Sequence, residues 1–332
     1  MKIRKKWLNG TFSFYLILCC FFSLPASAEQ AQEKTTKTYT IGITKIVSHP
    51  GIDAIEEGFL QTMNAYAKEK NVQINYNMQN AQGDMGTSSL IAKKFAGDNL
   101  DLIFSISTPS TQQVVKATNK TNIVFGAVTD PLSAGVVKSL ESPGGNVTGV
   151  SDVWPIKKQI ELLLKLVPSV KKIGLIYNPG ESNASFMLGK LQEACDQLGL
   201  KLITKSIANT SEVYLAAISL ATNVDAFYSS IDNTVLSAIS TLVKVANKSK
   251  KPIIAGESDS VQKGAIATLG SNYNEIGKES GSLAIKILQG AHPGDLPVVS
   301  NTKTDLYLNM NALNTLKINV PAELAKEAKV KY

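Results

Sequence analysis

From Tyr39 onward, short apolar runs alternate with segments whose apolar residues recur every three or four positions, separated by turns rich in Ser, Thr, Asn, Asp, Gly and Pro. The run Thr40–Val47 reads as a buried strand, and Ile52, Ile55, Phe59, Met63 and Tyr66 share one face of the helix after it. Further strands are predicted at 72–78, 101–106 and 122–127, with helices at about 85–96 and 109–119. Strands alternating with helices predict a parallel, doubly wound sheet.

The same order of elements then starts again. Strand 172–177 precedes a helix with Leu188, Leu191, Cys195 and Leu198 on one face, a strand at 200–206 and a helix at about 210–221. Strand 224–228, a helix at 234–248 and strand 252–256 follow. Ile41-Gly42-Ile43 matches Ile173-Gly174-Leu175, Asp101–Phe104 matches Asp225–Tyr228, and Ile123–Gly126 matches Ile253–Gly256, at separations of 132, 124 and 130 residues. Three matches in the same order predict two similar α/β lobes.

Beyond the repeat, Gly264–Gly270 leads into a helix carrying Ile276, Leu283, Ala284 and Ile287, which His292-Pro293-Gly294 ends before a strand-like Leu296–Val299. This stretch is too short for a third domain, so the chain is expected to cross back to the first lobe and return. The expected organisation is 39–149 plus 260–292 for lobe one and 150–258 plus 293–332 for lobe two. Crossings near 128–150, 258–265 and 293–300 then form a hinge.

The N-terminus changes the charge picture. Lys2, Arg4, Lys5 and Lys6 precede an apolar run from Trp7 to Leu24, and Ala26-Ser27-Ala28 supplies the small residues of a cleavage site. Residues 1–28 thus read as a secretory signal, with a mature chain from Glu29 exported to the periplasm. The whole chain of 332 residues carries a net charge of +7, but removing this segment leaves 30 basic against 27 acidic residues, too even for a nucleic-acid binder. Cys19 and Cys20 leave with it, so Cys195 has no internal disulfide partner, and its place on an apolar helix face marks it as core. Lipid modification at Cys19 or Cys20 is the alternative, against which stands the large Leu18 before Cys19. No later apolar run reaches eighteen residues, so the mature chain is not expected to span a membrane.

In open parallel sheets, ligands bind beyond the carboxyl ends of the strands, where helix N-termini point free N–H groups. Those ends carry Ser48 and His49, Ser107 and Thr108, and Thr129 and Asp130 in the first half. Asn178, Asp232 and Asn233, and Glu257 and Asp259 are their counterparts in the second, with Ser151, Asp152 and Trp154 between the lobes. The set suits a zwitterion: Asp130, Asp152, Asp232 or Asp259 for an ammonium group, and Thr108, as the cap before Pro109, for a carboxylate. Helix capping is the plainer role for each of these residues, and hinge packing the plainer role for Trp154. Two histidines and the lone mature cysteine do not make a recurrent zinc site, and no dinucleotide, phosphate-loop, nucleophile-elbow or zinc-protease motif occurs. The strand-end carboxylates leave hydrolase or isomerase chemistry open.

Ser48-His49-Pro50-Gly51-Ile52-Asp53, Asn80-Ala81-Gln82-Gly83-Asp84, Ala127-Val128-Thr129-Asp130-Pro131, Asp232-Asn233-Thr234 and the long Ser142–Asp152 run resemble motifs of ABC-transporter substrate-binding proteins, in the group often described as tryptophan/tyrosine-binding. The resemblance covers about 39–320, and Gly51 and Trp154 depart from it, standing where Ala and smaller residues are common. It implies a type I periplasmic binding protein with two α/β lobes and three hinge crossings. It further implies capture of an amino acid, most naturally an aromatic one, and delivery to an ABC permease and its ATPase. A monomer without cofactor, metal or nucleic-acid partner is expected, and no catalysis. A sensor presenting its ligand to a membrane receptor has the same sequence features. The effector domains of sugar-responsive repressors share the lobe pair but carry a DNA-binding helix pair and no signal. Intact-mass analysis of the exported protein is expected to give a chain starting at Glu29, and a diacylglyceryl adduct on Cys19 or Cys20 would contradict this.

Overall fold

The computed structural model describes residues 36–152, 154–300 and 304–332; the expected signal segment lies outside them. Its elements, in order, are β1 (Thr38–Lys45), α1 (Pro50–Lys70), β2 (Gln73–Asn80), α2 (Met85–Gly97), β3 (Leu102–Ile106), α3 (Thr108–Ala117), β4 (Ile123–Gly126) and β5 (Val147–Ser151). Next come α4 (Ile156–Leu166), β6 (Lys172–Tyr177), α5 (Ser182–Gln197), β7 (Lys201–Ser206), α6 (Val213–Ala221), β8 (Ala226–Ser229), α7 (Asn233–Ser237), α8 (Ile239–Lys248) and β9 (Ile253–Ala255). The chain ends with α9 (Ser258–Lys263), β10 (Ala267–Gly270), α10 (Tyr273–Leu288), β11 (Val299–Ser300), β12 (Asp305–Leu308), α11 (Met310–Thr315), α12 (Ala322–Glu327) and β13 (Val330–Lys331).

The strands form two sheets. The first runs β11-β5-β4-β3-β1-β2 and is parallel throughout. The second runs β13-β12-β10-β9-β8-β6-β7, with β10 and β12 its antiparallel pair. Both reverse strand order in the same way, at β1/β3 and at β6/β8, which is the expected repeat. The inner strands are apolar and buried because helices cover both faces, and Phe59 of α1 stacks on Phe104 of β3 at 3.9 Å. Cys195 is fully buried, and burial pushes its thiol up to about 11.

Hydrogen bonding places the lobe handovers elsewhere than expected. β5 pairs with β4, so lobe one runs through Ser151 and the first crossing lies between β5 and α4. α9 packs on α8 and β9, and β10 extends the second sheet, so 260–270 belongs to lobe two and the return crossing follows Gly270. Val298 N–H donates to Leu140 O at 2.7 Å and β11 pairs with β5, which assigns 293–300 to lobe one. The reason is strand length: a two-residue strand has no readable period, and Gly149 inside β5 mimics a turn. The helix expected at 234–248 is divided at Ala238 into α7 and α8.

Helix α10 returns from the second lobe to pack along α1. The approach is close: a Cβ at Gly277 would meet Ile55 O at 2.0 Å. Gly277→Ala is therefore expected to lower stability by ~1–3 kcal/mol or more through overpacking. Exposed Gly189 on α5, with nothing within 4 Å, is the control. Its change to Ala is expected to raise stability by up to ~1 kcal/mol. Thermal unfolding of the two variants checks both signs.

Candidate functional site

The loops leaving β1, β3 and β4 face those leaving β6 and β8 across a small cavity. His49, Gly51, Ile52, Ile55, Ser107, Thr108, Ala127, Thr129 and Tyr273 line it from lobe one, Asn183, Ile231, Asn233 and Leu236 from lobe two, and Asp152 from the crossing. The lobes touch on either side of it, through His49 Nε2–H to Asn233 Oδ1 at 3.4 Å and Ser182 Oγ–H to Gln112 Oε1 at 3.3 Å.

Local sequence explains how each polar group is held. His49 caps α1: its Nδ1 accepts from Ile52 N at 3.5 Å, which leaves the ring proton on Nε2 to face Asn233. Burial pushes its pKa down to about 4, so the ring is neutral. Ser107 precedes α3 with φ 76, and Ala127 has φ 57, so two of the six non-glycine residues with positive φ among those described sit on this cavity. Such strain persists where the surroundings over-determine the backbone, and sites are where it collects. The first-turn N–H groups of α3 have no intrahelical partner, and buried Ser107 Oγ has no hydrogen-bond partner either.

Asp152 is the cavity's carboxylate. Tyr273 O–H donates to its Oδ2 at 3.4 Å, while Oδ1 is buried and without a partner. Burial raises its pKa to about 6 despite hydrogen bonds from Thr129 and Tyr273. Tyr273 itself is held edge-on by Trp154 at 5.7 Å, and it can lie where it does because residue 51 is Gly: a Cβ there would meet its ring at 2.7 Å. From the other lobe, Asn183 Nδ2 donates to Ile231 O at 3.0 Å and to Glu181 Oε2 at 3.2 Å. Asn183 Oδ1 is buried and unpartnered.

Of the residues singled out in the sequence, His49, Ser107, Thr108, Thr129, Asp152 and Asn233 line the cavity. The others do not. Exposed Ser48 donates to Asp53, and Asp130 accepts from Leu132 N at 3.2 Å in a local turn. Ser151 pairs with Ser300 across β5 and β11. Trp154 supports Tyr273 from behind. Asp232, expected to hold an ammonium group, caps α7 through Val235 N at 3.0 Å and accepts from Asn178 N at 2.5 Å. Burial and the neighbouring Glu181 hold it well above the usual carboxylate range, so it is a poor cation acceptor. Asn178 faces a wider cleft beside the cavity. Glu257 caps α9 through Ser260 and Asp259, and burial with the adjacent Asp259 raises it to about 7. Asn183 and Tyr273, which the sequence reading missed, each sit in the first turn of a helix, where strand-end reasoning does not reach.

Residues 40–331 match the family model described as ABC transporter substrate binding protein. The chain belongs to this family. It is 41% identical over 293 residues to a tyrosine-binding protein of Clostridioides difficile, covering 88% of this chain and 84% of that protein. Its fold matches the Streptococcus pneumoniae ABC domain in complex with L-Trp at TM-score 0.86 and 32% identity, covering 89% and 100% of the two chains. It also matches the ligand-free, open structure of a substrate binding protein with adhesive properties from Clostridium difficile at TM-score 0.66 and 39% identity, covering 88% and 98%. Family membership makes the chain a solute-binding component of an ABC transporter, a class that binds a small molecule outside the cytoplasmic membrane and works with a permease. Among the described residues, no helix is long and apolar enough to cross a membrane.

Ionised Asp152 burdens the unliganded fold. Because its folded pKa is raised above the ordinary carboxylate value, the folded state holds the proton more tightly and loses stability as pH rises from about 4 to about 6. The deficit is complete above that window, at about 2–3 kcal/mol. Asp152→Asn is expected to raise the unliganded melting temperature at pH 7.5 and to raise it less at pH 5. An equal fall at both pH values would contradict this account of the carboxylate.

Proposed function

We propose that this protein captures an aromatic amino acid in the interlobe cavity, closes over it by hinge motion, and delivers it to an ABC importer. The carrying observation is the pairing of a buried carboxylate with a free acceptor, Asp152 Oδ1, and an unpartnered hydroxyl, Ser107 Oγ, on the same small cavity. A buried charge and a buried hydroxyl left dry are costly, and an α-amino acid relieves both. Its ammonium donates to Asp152, and its carboxylate accepts from Ser107 and the first turn of α3, where the helix N-terminus favours an anion.

The apolar wall of Ile52, Ile55, Ile231, Leu236 and Tyr273 supports a large side chain. An aromatic residue buries ~150–250 Å², worth about 4–6 kcal/mol at ~25 cal/mol per Å². The tyrosine-binding relative and the L-Trp complex favour the same class. Closure is favoured by shape: the chain is nearer to the L-Trp complex than to the more identical open, ligand-free structure. The two lobe-bridging hydrogen bonds at His49 and Gln112 belong to this closed arrangement.

Acid opposes capture through two groups. Asp152 must lose its proton to accept the ammonium, so the ligand lowers a pKa of about 6, and His49 must stay neutral to be buried between closed lobes. Each makes binding release protons, so affinity falls as pH drops through about 6.5 to 5. Titration calorimetry with L-tyrosine and L-tryptophan is expected to show binding at pH 7.5 and at least tenfold weaker binding at pH 5. At 100 times Kd the ligand adds ~2.7 kcal/mol of stability. If none of the common amino acids binds or raises the melting temperature, the proposal fails.

A further inference from the structure

We propose that Asn183 selects among aromatic ligands, its side-chain oxygen accepting a hydrogen bond from an indole N–H or a phenol O–H, so that tryptophan and tyrosine are preferred to phenylalanine. This rests on the amino-acid reading of the cavity and goes beyond it, because it assigns the far end of the ligand. Asn183 is only 3% exposed and lines the cavity from lobe two. Its amide orientation follows from its partners. Both N–H groups turn to the protein, towards Ile231 O and Glu181 Oε2. Glu181 is an acceptor there, because its other contacts are all donors: Asn233 N and Nδ2, and Thr234 N and Oγ1. The Asn183 oxygen is then what remains for the cavity, and it has no partner.

The neighbouring polar groups are already committed. Asn233 spans His49 and Glu181, and Thr108 Oγ1 accepts from Thr129 N at 3.3 Å. Ser107 and Asp152, on the other side of the cavity, serve the ligand's carboxylate and ammonium. One acceptor therefore stands on lobe two beside apolar Ile231 and Leu236, where an aromatic ring would lie. A ring bearing a donor satisfies it when the lobes close. Phenylalanine leaves it buried and unpaired, a loss of roughly tenfold to hundredfold in affinity.

Calorimetry on the wild-type protein tests this without any variant. The ligand pairs are L-tyrosine against L-phenylalanine, and L-tryptophan against L-3-benzothienylalanine, which puts sulfur in place of the indole N–H. The donor-bearing member of each pair is expected to bind at least tenfold more tightly. Asn183→Leu, checked for cooperative unfolding, is expected to bring each pair to within about threefold. Equal affinities within both pairs in the wild type would overturn the role of Asn183 and leave the amino-acid reading standing. Discrimination that persists in Asn183→Leu would also overturn it. Absence of binding by all four ligands would instead remove the reading on which it rests.

Discussion

A carboxylate buried between two lobes is removed from water, and the rest of the cavity is organised around that cost. Asp152 lies at the crossing between the lobes, where Tyr273 O–H supports one of its oxygens and the other stays free. A fold selected only for stability would place a neutral residue there, because an unpaired buried charge is among the most expensive features a core can hold. The arrangement is rational when a cation arrives with the ligand. The supporting parts follow: Tyr273 opens α10, Trp154 holds its ring edge-on, and Gly51 leaves room for it.

The topology gives this local chemistry its setting. Both sheets reverse strand order at equivalent places, so their loop ends meet face to face, and the chain passes between lobes three times, between β5 and α4, between β10 and α10, and between β11 and β12. Asp152 and Tyr273 stand beside the first two of these passages and line the cavity there. Asn183, Ile231, Asn233 and Leu236 line the cavity from the other lobe. On the proposed reading this division separates anchoring from discrimination: one lobe would hold the backbone of an amino acid, and the other would test its side chain.

Much of the fold was readable because parallel strands covered on both faces appear as unbroken apolar runs, as in β1, β3 and β6, and their spacing repeats between the halves. What escaped was short or interrupted. β5 contains Gly149, β11 has two residues, and β10 reads as part of lobe one because nothing in Ala267–Gly270 states which sheet it joins. Strand-end reasoning reached His49, Ser107, Thr108, Thr129, Asp152 and Asn233, which meet in the cavity. It could not separate them from Asp130, Asp232 and Glu257, which bond to N–H groups two or three residues ahead. That spacing was a usable signal of capping. Asn183 and Tyr273 had no comparable signal, since their place depends on how α5 and α10 are each set at the ends of their lobes rather than on a strand end.

The central claim is that an amino acid lies between Asp152 and the start of α3 with the lobes closed. A crystal structure grown with L-tyrosine or L-tryptophan tests it most directly. The account predicts the ligand ammonium within hydrogen-bond distance of Asp152, its carboxylate on Ser107 and the first turn of α3, and the ring against Ile231 and Leu236. Ligand seated instead in the wider cleft beside Asn178, with Asp152 still unpaired, would contradict it.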